Sequence, residues 1–119
     1  MRPQNAEVVD LAAEAKSSAR YNNHPITELN DHVARISLKT EPYHWHYHPD
    51  SDEIFLVVEG RLRIDFETHS IDLGQGQLLT VKNGIRHRTQ PIGGRSVNLT
   101  IERIKTDTIR VDAAPSASP

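Results

Sequence analysis

No cysteine occurs in the 119 residues. Disulfides, thiolate metal ligands and a cysteine nucleophile are therefore excluded. An excess of one charge is also missing, with a formal net charge of −2 at pH 7. Nucleic acid and an anionic membrane surface are poor partners for such a chain. Long hydrophobic runs are lacking too. The longest, Ile54–Val58, falls far short of the roughly 20 residues that span a bilayer. The opening stretch, MRPQNAEVVD, has no apolar core of the signal-peptide kind. No internal repeat is present. These absences lead to the expectation of a soluble, cytoplasmic, single-domain protein. What remains is ordinary globular composition, 36% hydrophobic and 25% charged. A chain of this length buries a modest core.

The ends differ from the middle. Residues 1–22 read as an N-terminal arm, in which EVVDLAAEAKSSAR (7–20) suits a short helix, or a brief strand before a helical turn. NNHP at 22–25 is a turn signal. The tail AAPSASP, 113–119, is expected to be disordered. The domain proper is expected over 23–112.

Within it, apolar residues alternate over short stretches. In 33–39, Ala34, Ile36 and Leu38 oppose Arg35, Ser37 and Lys39. Residues 43–48 suit a strand. In 53–59 both faces are apolar, as in a central strand, whereas 61–67 alternates cleanly with Leu62, Ile64 and Phe66 inward. Gly60 between these two predicts a tight hairpin. Gly74 and Gly76 mark the next turn. Asn83-Gly84 predicts a hairpin between 77–82 and 86–90. Residues 96–102 and 108–112 complete the set. About eight to ten short strands with turn residues between them argue for an all-β sandwich or barrel.

Residues 44–53 read HWHYHPDSDE. Side chains alternate along a strand, so His44, His46 and His48 share one face and Trp45 and Tyr47 the other. Buried imidazoles need partners, and a divalent metal is one. Glu53 and His87 are candidates to complete such a site. An exposed polar edge is the alternative.

The wider spacing is His46-x-His48-x4-Glu53-x6-Gly60, then Gly76-x5-Lys82-x-Gly84-x2-His87. With both segments in this order, the chain resembles the cupin superfamily over roughly residues 30–105. Only pairing His46 with His48 sets Glu53 and Gly60 at the motif's intervals, which leaves His44 as the spare histidine. Three positions depart from the family pattern: Thr40 and Lys82 stand where glycine and proline are usual, and Pro91 where asparagine is. The missing proline makes the turn before His87 less preorganised.

The resemblance implies a cupin-type β-barrel, the double-stranded β-helix or jelly roll, with a short N-terminal helix or arm. It implies one divalent metal ion (Fe, Mn, Ni, Zn, Co or Cu) held by His46, His48, Glu53 and His87. It also implies a small-molecule substrate and a homodimer formed through sheet edges and N-terminal arms, with the face Ile54, Leu56 and Val58 able to contribute. By parity Phe55 and Val57 point inward beside Glu53, so they and His44 are the substrate-pocket candidates. A partly apolar pocket of this kind suits an aromatic or enolic substrate. The function expected is a metal-dependent enzyme on a small organic molecule, with a dioxygenase-type oxidoreductase favoured. The alternatives are an isomerase, lyase or cyclase, and a non-catalytic binding module.

Overall fold

A computed structural model of the protein describes residues 6–16 and 22–111. Among these residues a short helix α1 (Leu11–Glu14) precedes eight strands. They are β1 (Asn22–Leu29), β2 (His32–Lys39), β3 (His46–Tyr47), β4 (Glu53–Asp65), β5 (Ser70–Leu73), β6 (Leu78–Val81), β7 (Arg88–Arg103) and β8 (Ile109–Arg110). One antiparallel sheet runs β1-β2-β7-β4-β5, with β6 also on β4, and β3 pairs with β8. The fold is an open jelly roll, all-β as expected. The sheet bends around its interior without closing into a ring of paired strands among the described residues. No helix among them is long and apolar enough to cross a membrane.

Gly60 makes no hairpin. Residues 53–65 form one strand, and the chain passes straight through Gly60 at φ +78°. The pairing of β4 with β7 shifts register on both sides of Glu59, which marks a bulge. The bulge changes parity. Phe55 and Val57 point into the core before it, and Leu62 and Ile64 after it. A side-chain period of two allows that switch only where a residue is inserted. In sequence the same switch looks like two strands joined by a turn. Gly60 is also crowded: a Cβ there would lie 2.6 Å from the Arg95 carbonyl oxygen.

The bend lets the two halves of β4 take different partners. Glu53–Leu56 pair with β6, and Leu62–Asp65 pair with β5. The core between the halves is Phe55, Val57, Leu62, Ile64, Leu73 and Val81. The segments 86–90 and 96–102 are likewise one strand, β7. It pairs with β4 at both ends and with β2 only from Ser96 onward. Pro91 falls where β4 is the sole neighbouring strand, so its missing N–H costs no ladder bond to β2.

Residues 22–25 are not a turn. They begin β1, which lies at the sheet edge, and the pairing slips between Pro25 and Thr27. An edge strand with a bulge tolerates proline. Among the described residues of 7–20 the helix spans Leu11–Glu14, capped by the Asp10 carboxylate on the N–H of Ala12 and Ala13; residues 17–20 lie outside the described residues. Ala15 packs with Ile36, Leu38 and Val97. Val58 and Leu99 pack on the same cluster, so the chain's own N-terminal segment covers part of the outward face. The tail 113–119 lies outside the described residues.

At the far end of β4, buried Asp65 ties three strands together. It accepts from Ser70 on β5 at 2.6 Å, and on β7 from Arg88 at 2.9 Å and Gln90 at 2.7 Å. Burial pushes its carboxyl up, but these donors and the Arg88 charge hold it below its ordinary value of 3.8.

Two stability outcomes follow. Gly60→Ala should unfold at lower denaturant than Gly84→Ala. The second meets only left-handed backbone strain, at φ +80° with open space around it, worth about 1 kcal/mol. The first adds the clash with Arg95, so a loss of about 2–4 kcal/mol is expected. Asp65→Asn should cost about 2–3 kcal/mol at neutral pH. The depressed carboxyl contributes fully above pH 3.8 and loses its contribution as pH falls through its lower folded value. The gap between the Asp65→Asn variant and wild type should therefore close in acid, as read from urea unfolding across pH.

Candidate metal centre

Sequence places three of the four predicted ligands within eight residues, and the fourth arrives with β7. His46 and His87 face each other as a reciprocal backbone pair: His46 N donates to His87 O at 3.0 Å, and His87 N to His46 O at 2.9 Å. Glu53 opens β4. His48 follows β3, and its carbonyl accepts from the Gly84 N–H at 2.8 Å. Asn83-Gly84 thus forms a turn but no hairpin, since β6 pairs with β4 while His87 bridges to His46.

The departure at Lys82 is compensated locally. Asp52 accepts from Lys82 Nζ at 3.0 Å, from the Asn83 N–H at 2.9 Å and from Asn83 Nδ2 at 3.2 Å. A side-chain clamp fixes the turn where the family's proline would stiffen it.

His46, His48, Glu53 and His87 are all buried, and each offers one ligand atom within 4.8 Å of the others. Behind each ring stands a backbone carbonyl. The Nδ1–H of His46 donates to His44 O at 2.9 Å, that of His48 to Asp107 O at 3.0 Å, and that of His87 to Ile85 O at 2.9 Å. Such bonds set the tautomer and turn the Nε2 lone pair inward, as metal-ligating histidines require. His48 Nε2 and His87 Nε2 lie 3.2 and 3.4 Å from Glu53 Oε1, yet none of these three buried atoms has a well-formed hydrogen bond. Buried polar atoms without partners are costly, and a shared cation satisfies all of them at once. The donor set fits a divalent metal.

Electrostatics agree. Burial alone would push Glu53 up, but His48 and His87 beside it hold its carboxyl well below the usual range. Burial would lower His48, and the Glu53 carboxylate overrides it and lifts the imidazole to about 9. His46 is pushed down to about 4, by burial and then by His87. The centre therefore favours positive charge between His48 and Glu53.

The remaining candidates separate. Phe55 lines the cavity that opens onto the cluster. Val57 does not; it is packed in the core with Leu62 and Ile64. His44 does not share the ligands' pocket either. The strand expected over 43–48 is regular only at His46–Tyr47, so strict alternation fails before it. The His44 ring lies in an outer groove with Glu41, Pro42 and Arg110. It reaches the centre through its carbonyl and through an edge-on contact of its ring with His46, 5.8 Å between ring centres.

The cavity, of about 240 Å³, is more polar than the sequence suggested. Arg35, Ser37 and Lys39 of β2 and Thr100 and Glu102 of β7 line it with Tyr43. Glu102 Oε2 lies 3.8 Å from His48 Nδ1. Burial and then the Glu53 charge push Glu102 up to about 7. These residues were legible as polar rows of period two in VARISLK and SVNLTIE, but polar rows in strands default to solvent. Here it is the apolar row, Ile36, Leu38 and Val97, that lies beneath the N-terminal segment.

Removing a ligand should abolish metal retention. Glu53→Gln and His48→Ala are expected to lose more than about 100-fold in Zn or Mn affinity, since loss of a mere supporting hydrogen bond costs about 10–100-fold. Titration calorimetry on metal-stripped protein measures this. Because His48 carries its proton up to about 9, metal must displace that proton. Affinity should fall as pH is lowered from 9. About one proton per metal should be released near pH 7, seen by repeating the titration in buffers of different ionisation enthalpy.

Comparison with known proteins gives the family. A family model described as a cupin domain matches residues 37–100. The chain is 38% identical over 106 residues to the uncharacterized protein YdbB of Bacillus subtilis (strain 168), covering 88% of this chain and 93% of that one. It is 37% identical over 54 residues to the polyketide synthase CurC of Streptomyces cyaneus, covering 45% of this chain and 35% of CurC. The crystal structure of a cupin-2 domain containing protein from Shewanella frigidimarina superposes with a TM-score of 0.76 at 26% identity, over 81% of this chain and 94% of that one. With more than half of its length matched by the model and a relative similar almost end to end, the chain belongs to the cupin family.

Proposed function

We propose that the protein holds one divalent metal ion on His46, His48, Glu53 and His87 and acts as an enzyme on a small organic molecule in the adjoining cavity. The observation that carries this is the set of buried ligand atoms lacking partners, each ring aimed by a carbonyl behind it. When bound, the metal would supply a Lewis acid for a substrate oxygen or, if redox-active, a site for dioxygen. The chain's own groups orient the substrate and exclude water. Phe55 closes one side, and the hydroxyls of Thr89 and Thr100 offer hydrogen bonds on others.

The polar lining moves the substrate away from the aromatic class that Phe55 and Val57 suggested. Aromatic rings need apolar or aromatic walls, whereas this cavity presents charges and hydroxyls, which fit an oxygen-rich aliphatic molecule. Such a substrate favours Lewis-acid chemistry, as in an isomerase, lyase or cyclase, over the dioxygenase reading. Metal-loaded protein is to be incubated with small oxo and hydroxy compounds in D2O while oxygen is monitored. Deuterium incorporation or product formation without oxygen uptake is expected, and loss of both in Glu53→Gln. Substrate-dependent oxygen consumption by the iron form would return the assignment to a dioxygenase. Tight binding with no product would leave a binding module.

A further inference from the structure

Ser37 of β2 faces Asn98 of β7, and Asn98 pairs on its other side with Val57 of β4. Directly paired residues share a face. This face is the inner one, since Ser37 lines the cavity and Val57 belongs to the core. Ser96, two residues before Asn98, continues the row. Asn98 and Ser96 are 0% exposed and Ser37 1%. Even so, the hydroxyls of Ser37 and Ser96 and both amide atoms of Asn98 have no hydrogen-bond partner among the described residues. Val57 can supply none. Turning the Asn98 amide over exchanges its oxygen and nitrogen and satisfies neither. The neighbouring Lys39 is engaged, its ammonium 5.1 Å from the centre of the Tyr43 ring, and takes no part.

Orphaned polar atoms in one buried row are costly. Their chemistry says what would satisfy them. The amide offers two N–H donors and an accepting oxygen, and each hydroxyl can donate or accept. A carboxylate only accepts, so it would leave the amide oxygen unmet. The complementary group is uncharged and does both, as a hydroxyl or a carboxamide does.

The span to the metal cluster fits a small molecule. Glu53 of the cluster and Val57, the partner of Asn98, are four residues apart on β4, about 13 Å at the rise of a strand. A metal–oxygen bond takes about 2 Å of this and a hydrogen bond about 2.8 Å. About 8 Å is left, the length of about six bonds of extended chain. Phe55 stands between Glu53 and Val57 on the same face and lines the cavity, so it walls the methylenes in between.

We propose that Ser37 and Asn98, with Ser96 next in the row, form a subsite for an uncharged hydroxyl or carboxamide at the far end of a substrate whose oxygens chelate at the cluster. The chelating end rests on the metal reading above; the uncharged end does not.

The test uses matched ligands. 2,5-Dihydroxypentanoate and 2-hydroxyhexanoate share a chelating hydroxy-acid head and differ only in a terminal hydroxyl or methyl of similar size. Calorimetry of the metal-loaded full chain should show the dihydroxy acid binding at least tenfold tighter, because a methyl leaves the buried polar atoms unpaired. Asn98→Leu and Ser37→Ala should each erase most of that preference, with metal stoichiometry unchanged. Equal affinity of the two acids would mean that the row holds only structural water, and overturns the proposal. So does the absence of binding by either acid, or a preference that survives both substitutions. If a variant fails to fold, the wild-type comparison still decides. If the wild type takes up no metal, the metal reading fails alone. The subsite is then decided by acetamide on metal-free protein, followed by NMR. A saturable shift of the Asn98 side-chain amide protons, weakened in Ser37→Ala, is expected, and no saturable shift overturns the subsite.

Discussion

The long antiparallel ladder between β4 and β7 is the constraint on which the rest depends. It must place an apolar row inside along its whole length and yet bend enough to enclose a cavity. A straight strand cannot do both, because its inward residues keep one parity. The bulge at Gly60 resolves this, carrying the inward row from Phe55 and Val57 to Leu62 and Ile64. The Arg95 carbonyl packs where a side chain would be, so only glycine fits the close approach at that left-handed φ. From this bend follow the separate docking of β5 and β6 on the two halves of β4, and the delivery of His87 to the first residue of β4.

A second consequence is the division of the interior. One half, under β5 and β6, is filled by Leu62, Ile64, Leu73 and Val81 and is an ordinary core. The other, under β2 and the end of β7, is lined by charge and hydroxyls. The sheet can afford an inward polar face there because the N-terminal segment covers its apolar one through Ala15. Stability and site are thus carried by different faces of the same strands.

The histidine–glutamate cluster that could hold a metal is fixed by backbone as much as by side chains. Carbonyls of His44, Ile85 and Asp107 fix the three rings. Two of them lie two residues from the histidine they serve; the third comes from a distant loop. That loop is anchored by Asp50, which accepts from the Thr106 hydroxyl and from the Asp107 N–H. Asp50 and Asp52, which look like loop residues in HWHYHPDSDE, therefore pin the two turns on which the ring geometry rests.

The sequence by itself determined the residue types and their local order. Alternating strands, an absence of cysteine and the spacing of His46, His48, Glu53 and His87 are one-dimensional patterns, and they were enough for an all-β fold and for the four residues that meet. Parity within a strand was legible, but which face is inside was not, because that depends on what covers the other face. Arg35, Ser37 and Lys39 share one face by parity, and that face is the inner one because the N-terminal segment covers Ile36 and Leu38 on the other. A glycine with left-handed backbone reads the same in a hairpin and in a bulge, and only the partner strand distinguishes them. His44 left the ligands' pocket because regular alternation needs a paired strand, and the pairing of β3 begins at His46. Tertiary structure decided these matters because each turns on a neighbour far away in the chain, and local pattern carries no record of that neighbour.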